Sequence, residues 1–375
     1  MKTVQQQARN IYAMIPMPML RYGLGIWIDL SAFNGEKVLK EKQDAISEIR
    51  VPKGVSVTKL SSHDKTFREK YREGLLKHDE NKFTALLYSL LEDATVIRIP
   101  KGTTVQTPIY IHSKAHAEKI IIIAEPHTKI TIIEISDMPE TLYFKGQSID
   151  VYAEEGAHVY FYAMQDLDEE TYNFSIKRGY VQSRACIDWT DVTLGSKVTM
   201  QHTCTFLSAP EAHATKKSMF IGSAAQQFDI NDEMIHEAPQ TKAHMQSRGV
   251  LNDRAKTIYR GKIKIKREAP QCVSQQKADN LLLTEYVRCN AVPILEVDND
   301  NVICSHGATF KKIDDEQEFY LNTRGVDKEQ AKEMIVKGFV DELINEIPDE
   351  TIKEKIQKRI EEKIKATEHV HATDH

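Results

Sequence analysis

The residues of this sequence best placed to do chemistry are three late cysteines: Cys272, Cys289 and Cys304 stand 17 and 15 residues apart. In a solenoid whose coils consume about that many residues, they fall on neighbouring rungs, and soft sulfur ligands gather without any short motif. Cys304 and His306 are two apart, so on a strand both side chains leave the same face. Glu296, in the run PILEV, offers a hard oxygen one turn away. Thiolate, imidazole and carboxylate together suit a labile iron–sulfur cluster, whose irons prefer thiolate and accept nitrogen. The competing reading is structural, because cysteine is among the most often buried residue types and packs as a small hydrophobe. Cys186 and Cys204, 18 apart, carry the same two readings. His202, His213 and His236 read as surface or turn residues, and the tail HVHATDH as a solvated end.

Other chemistries lack their motifs. There is no GxxxxGK[ST] phosphate loop, so nucleotide hydrolysis is not expected of this chain itself. His236-Glu237 followed by His244 has the wrong spacing for a zinc-protease helix, no CxxC pair occurs, and no Gly-x-Ser-x-Gly elbow appears.

The elements that must position these residues are mainly β. From Thr95 to Phe310 short runs such as VIRI, KIIIIA, KITIIEI, HVYFYA, KVTMQH and KIKIK follow one another, bounded by Gly, Pro, Asn or charged turns. The turn-like segments PKGTTV at Pro100, EPHTKI at Glu125 and EEGAHV at Glu154 recur 25 and 29 residues apart, each opening a fresh strand. Such repeats without two-residue Asn-Gly hairpins favour a parallel β-helix over a sandwich or barrel. We therefore divide the chain into a helical region over 1–93, a β-helix core over 94–318 and a C-terminal helical region over 319–375. In the last, Ile335, Phe339, Leu343 and Ile347 fall four apart; Pro348 breaks the run, Asp349 can cap a new helix, and Ile352, Ile356, Ile360 and Ile364 form a second stripe. These helices are candidates to cover the terminal coil, whose edge would otherwise pair with another chain, or to dock a partner.

Composition sets the class. The 375 residues are 41% hydrophobic and 28% charged, the balance of an ordinary globular protein. The net charge of −5 leaves no cationic surplus for nucleic acid or an anionic membrane. From Val326 onward 9 Lys/Arg face 13 Asp/Glu, so most of the imbalance sits in the C-terminal region. Apolar runs such as Ile120 to Ala124 are far too short to span a bilayer, and Pro16 and Pro18 break the early apolar stretch. Together with five sparse cysteines, these features read as a cytoplasmic protein with reduced thiols.

Four separated segments resemble one family. NKFTALLYSLLEDATVIRIPKG (Asn81 to Gly102), IHEAPQTKAHMQSRGVL (Ile235 to Leu251), VICSHGATF (Val302 to Phe310) and YLNTRGV with KGFVDELINEIP (Tyr320 to Pro348) are similar, in order, to the SufB/SufD iron–sulfur cluster assembly proteins. The resemblance implies a right-handed parallel β-helix with helical parts at both ends. It implies a second SufB/SufD-type subunit paired through the late strands, and an ABC-type ATPase, SufC, bound by the C-terminal helices through Tyr320, Arg324, Gly325, Ile335, Gly338 and Phe339. A sulfur donor of the cysteine-desulfurase type belongs to the same picture. B-type members carry a cysteine where this chain has Ala278, and acidic residues where it has Ser305 and Gly307. The SHGAT form is that of D-type members, whose interface histidine corresponds to His306. Two outcomes stay open: a D-like half needing a B-like partner, or a homodimer supplying its own ligands from Cys289, Cys304 and His306, with Cys272 and Glu296 nearby. In either case the resemblance implies a non-enzymatic scaffold. The rival is a β-solenoid or cupin-like metal-dependent enzyme using His112, His116 or His202.

Overall fold

The β-branched runs pair side by side in parallel. The computed structural model describes residues 2–17, 21–22, 26–41, 45–72, 74–137 and 142–365, and within it two nine-stranded sheets enclose a common core. Successive strands alternate between the sheets, so each coil contributes one strand to each. Sheet I ends in Cys272–Leu282 and Val302–Lys312; sheet II ends in Lys256–Ile265 and Arg288–Val297. At the opposite end the short strands Glu48–Arg50 and Ser56–Lys59 close the sheets antiparallel to their neighbours. The protein is thus a mainly β parallel solenoid with helices at both chain ends.

One corner of the coil repeats. Gly102, His127, Gly156, Arg184, Glu211, Gln240 and Gln271 all hold φ between 55 and 69°. Each donates its backbone N–H to a carbonyl one coil further on, as Gly102 does to Pro126 at 2.9 Å and Gln271 to Asn301 at 2.6 Å. The PKG, EPH and EEG segments are the first three members of this ladder.

The ladder gives the true period. Register pairs His158 with Cys186, Cys186 with His213, Lys256 with Arg288, and Cys272 with Val302, separations of 27 to 32 residues. The expected coil of about 15 to 17 residues is therefore half a coil. Residues at that spacing lie on opposite sheets instead of stacking.

Along the strands the interior is zoned. Ile149, Val151, Ile187, Trp189 and Ile263 build an apolar core at one side, and Phe220, Phe228, Ile230 and Leu251 a second at the other. Between them runs a belt of buried charge. Lys145 pairs with Glu118 at 3.2 Å and Lys177 with Asp191 at 2.6 Å; Lys216 contacts Asp191 and lies 3.8 Å from Asp232.

The helices sit on the outer faces. α1 (Lys2–Met14), α2 (Gly35–Lys40), α3 (Lys65–Tyr71) and α4 (Lys82–Leu90) precede the solenoid. Asn81 starts α4 by accepting from the Phe83 and Thr84 N–H groups while its own N–H goes to Thr84 Oγ1, a reciprocal cap. α4 lays Phe83 and Leu86 on Phe144, Tyr172 and Phe174 of sheet II. α5 (Asp315–Thr323), α6 (Lys328–Asn345) and α7 (Glu350–Lys365) follow the last strand. Asp349 caps α7 through the Ile352 N–H at 3.1 Å. The stripe Ile352, Ile356, Ile360 and Ile364 then packs with Val336, Val340 and Leu343 of α6 on Met164, Val192, Met219, Val250 and Leu281 of sheet I. The C-terminal helices therefore lie along the flank of the solenoid. They do not cover its terminal coil as expected, because their apolar stripes match an apolar outer face running over many coils, not the end of one. No helix among the described residues is long and apolar enough to cross a membrane.

Candidate functional site

The terminal coil is where the candidate ligands fall. Val302–Lys312 and Arg288–Val297 are the last strands of their sheets, and each has one edge without a strand partner among the described residues. Both are long, at 11 and 10 residues, and Ile303 (71% exposed) and Phe310 (48%) leave large apolar groups uncovered. Long bare edges with apolar side chains are templates for a further chain.

Alternation sets which way each residue points. Val302 and Cys304 pack on the interior core, so His306, two further on, shares the inward side and sits at the open mouth. Beneath it in register lies Gln276, and beneath Cys304 lies Ser274. Both are buried, and the Gln276 amide O and N and the Ser274 hydroxyl find no hydrogen-bond partner among the described residues. Buried polar atoms are nearly always satisfied, so this polar floor under His306 is able to hydrogen-bond a further group.

The other expected ligands are elsewhere. Cys272 faces inward one coil deeper, where its Sγ lies 3.0 Å from Thr241 Oγ1, itself 2.7 Å from His236 Nδ1. Its partners are already inside the core. Cys289 also faces inward, but it packs in the second apolar core beside Ala278 and Tyr259, and burial pushes its thiol up to about 12. Leu295, which packs on the same core as Cys304, is six residues along the strand from Cys289, or roughly 20 Å. Cys289 and Cys304 therefore do not converge within one chain. Glu296 leaves the outer face, where it pairs with Lys262 at 2.8 Å and Lys264 at 3.2 Å.

The histidines divide similarly. His236 was expected at a surface or turn; it is fully buried at the end of Gln227–His236, and burial lowers its pKa to about 4. His202 is half-buried between Arg178 and Glu233, while His213 is exposed. His112 pairs with Asp137 at 2.6 Å on sheet I and His202 stands on sheet II, so the rival enzyme's ligands are not brought together. The tail HVHATDH lies outside the described residues. Among the described residues one trio does converge, His158, Cys186 and Asp188, whose ligand atoms all lie within 4.8 Å of one another. The period of the turn ladder, had it been applied to the cysteines, stacks His158 on Cys186.

The residues expected to meet a partner share another surface. α5 exposes Phe319 (69%) and Tyr320 (58%); Arg324 stacks its guanidinium 5.2 Å from the Tyr320 ring. Gly325 ends α5 with φ of 87°, and the Val326 N–H reaches back to Leu321 O, a glycine C-cap. On α6, Gly338 is open on its outer side, while Ile335 and Phe339 are half-buried. Arg248 of sheet I holds that turn of α6, donating to Phe339 O at 2.6 Å, stacking on the Phe339 ring and pairing with Glu342.

The profile described as SUF system FeS cluster assembly, SufBD core domain, matches residues 109–339. The chain belongs to the SufB/SufD family. A Staphylococcus epidermidis iron–sulfur cluster assembly SufBD family protein is 30% identical over 316 residues, which cover 82% of this chain and 66% of the relative. A Staphylococcus haemolyticus SufBD family protein is 29% identical over the same length. The Bacillus subtilis iron–sulfur cluster assembly protein SufB is 28% identical over 290 residues, 75% of this chain and 62% of that protein. The chain thus spans somewhat less than two thirds of the length of these relatives.

Proposed function

We propose that this SufB/SufD-family chain is a scaffold subunit of iron–sulfur cluster assembly, holding a labile cluster as cargo at the junction between its terminal coil and a second SufB/SufD-type subunit. The observation that carries this is the bare terminal coil, with Cys304 and His306 facing an unsatisfied polar floor. This chain supplies a thiolate and an imidazole, and the second subunit completes the ligand set. The separation of Cys289 from Cys304 favours the D-like half: a B-type partner brings the cysteine that Ala278 lacks here. Sulfide and iron come from outside, the former from a donor of the cysteine-desulfurase type. The chain itself makes or breaks no bond in a substrate and is not an enzyme.

The exposed faces of α5 and α6 are the docking surface for a SufC-type ATPase, which supplies the absent phosphate loop. Tyr320 and Arg324 form a stacked amphipathic contact, Gly325 sets the angle between α5 and α6, and Gly338 lets a partner approach the backbone between Ile335 and Phe339. Rotation of α6 and α7 by nucleotide-driven pairing of two ATPases pulls on sheet I through Arg248 and through Arg359, which meets Asp166 at 2.9 Å. Such a rigid-body movement opens the ligand site.

The test is co-purification and turnover with a SufC-type ATPase. The wild-type chain is expected to bind it and raise its ATP turnover. Tyr320→Ala with Arg324→Glu is expected to weaken binding by at least about tenfold, the effect of losing a stacked interface anchor worth some 1.4 kcal/mol or more. Failure of the wild-type chain either to bind or to stimulate such an ATPase removes this reading.

A further inference from the structure

The outer face of sheet I carries a row of ligand side chains that cluster assembly at the terminal coil leaves unused. After the corner turn, three successive coils place an alanine and then a metal-binding residue: Ala157-His158, Ala185-Cys186 and Ala212-His213. The alanines are buried inside, so the residues that follow point outwards. Register stacks His158 on Cys186 and Cys186 on His213, on strands about 4.8 Å apart. Asp188 leaves the same face as Cys186. His158 Nε2 lies 2.7 Å from Asp188 Oδ2, and the Cys186 thiol donates to the same carboxylate. Thr215 also donates to Asp188, and Tyr160 stacks on the His158 ring at 4.1 Å between centroids, so the trio is held in place by its neighbours.

We propose that His158, Cys186 and Asp188 form a mononuclear site for a divalent transition-metal ion of borderline softness, the class of Zn²⁺, Co²⁺ and Fe²⁺, with its fourth position open on the His213 side. One nitrogen, one sulfur and one oxygen donor match the three-ligand open sites that such ions occupy, whereas Ca²⁺ and Mg²⁺ require oxygen donors throughout. Lys129 and Lys242, next in register beyond His158 and His213, close the row. The trio is not arranged as a nucleophile. Its thiol faces the carboxylate instead of the imidazole, and burial with Asp188 pushes that thiol's pKa up. A cation reverses this balance by replacing the shared proton. On ligation the thiol gives up its proton to solvent. The site lies four to five strand spacings from Val302–Lys312, roughly 19 to 24 Å, so its failure would leave the scaffold reading untouched.

The experiment titrates the full, chelator-treated chain with Co²⁺ under anaerobic conditions, then competes with Zn²⁺. One Co²⁺ per chain is expected, with a thiolate-to-cobalt charge-transfer band that one Zn²⁺ displaces. Cys186→Ser should abolish the band. His158→Ala and Asp188→Asn should weaken binding by about a hundredfold or more, and Thr215→Val by about tenfold, as for loss of an outer partner. No charge-transfer band, or a band of full intensity in Cys186→Ser, overturns the proposal. Should Cys186→Ser not fold, His158→Ala and Asp188→Asn decide it: wild-type affinity in both overturns it equally.

Discussion

Asp191→Ala is expected to cost the fold about 3–5 kcal/mol, the scale of breaking a buried charge network by removing one partner. Asp191 is 2% exposed and stands between two ammonium groups that are equally hidden, Lys177 at 2.6 Å and Lys216, with Gln201 donating at 2.9 Å. Despite the desolvation that opposes ionisation, these cations hold its carboxyl below the usual range. Removing it strands two positive charges in a sealed interior, where Asp232 and Glu134, both pushed up by burial, cannot fully compensate. Urea unfolding should show a lower midpoint for Asp191→Ala. The triple variant Lys177→Met, Asp191→Leu, Lys216→Met should recover most of the loss, because no charge is then left unpaired. A loss under about 0.5 kcal/mol in the single variant would mean that water reaches the belt and screens it.

Placing lysine at Ile303 and Phe310 is expected to abolish pairing with a second SufB/SufD-type chain while leaving the fold intact. Both side chains are exposed and stand on the last strand of sheet I, whose outer edge pairs with no strand among the described residues. Extending the sheet across that edge buries them; two ammonium groups there must be desolvated without partners, at several kcal/mol in total. Association measured by light scattering or sedimentation should weaken by at least about a hundredfold, or some 2.7 kcal/mol. Thermal unfolding of the isolated chain should shift little, since neither residue belongs to its core. Undiminished pairing would move the interface away from this strand.

The turn segments at Pro100, Glu125 and Glu154 disclosed the solenoid because each coil needs the same left-handed corner and the same small or polar residues recur there. The isoleucine stripes of the C-terminal helices were as legible, since apolar residues recurring four apart gather on one face only when the backbone is helical. Which surface those stripes meet was not: an apolar outer face on sheet I makes its strands apolar on both sides, and a run such as KITIIEI, with Ile132 in the interior core and Ile133 under the helices, says nothing of direction. The polar belt was hidden for the opposite reason. Lys177, Lys216 and Asp191 occupy alternating strand positions that normally read as solvent-facing, and only three-dimensional pairing makes their burial tolerable. The candidate site was half legible. Cys304 and His306 followed from a two-residue spacing on one strand, which is a local fact. The grouping of Cys272, Cys289 and Glu296 with them rested on a coil length that was too short by half, so those residues fell on another rung, another corner and the outer face.

Where the cluster forms is decided by anaerobic iron–sulfide reconstitution. Iron and sulfide are counted per chain for the isolated protein, and for its complex with a second SufB/SufD-type subunit bearing a cysteine at the position of Ala278. The expected result is a stoichiometric cluster in the complex alone, lost or strongly depleted in His306→Ala and diminished in Cys304→Ser. A full cluster in the isolated monomeric chain, or one in the complex indifferent to both substitutions, would contradict the account.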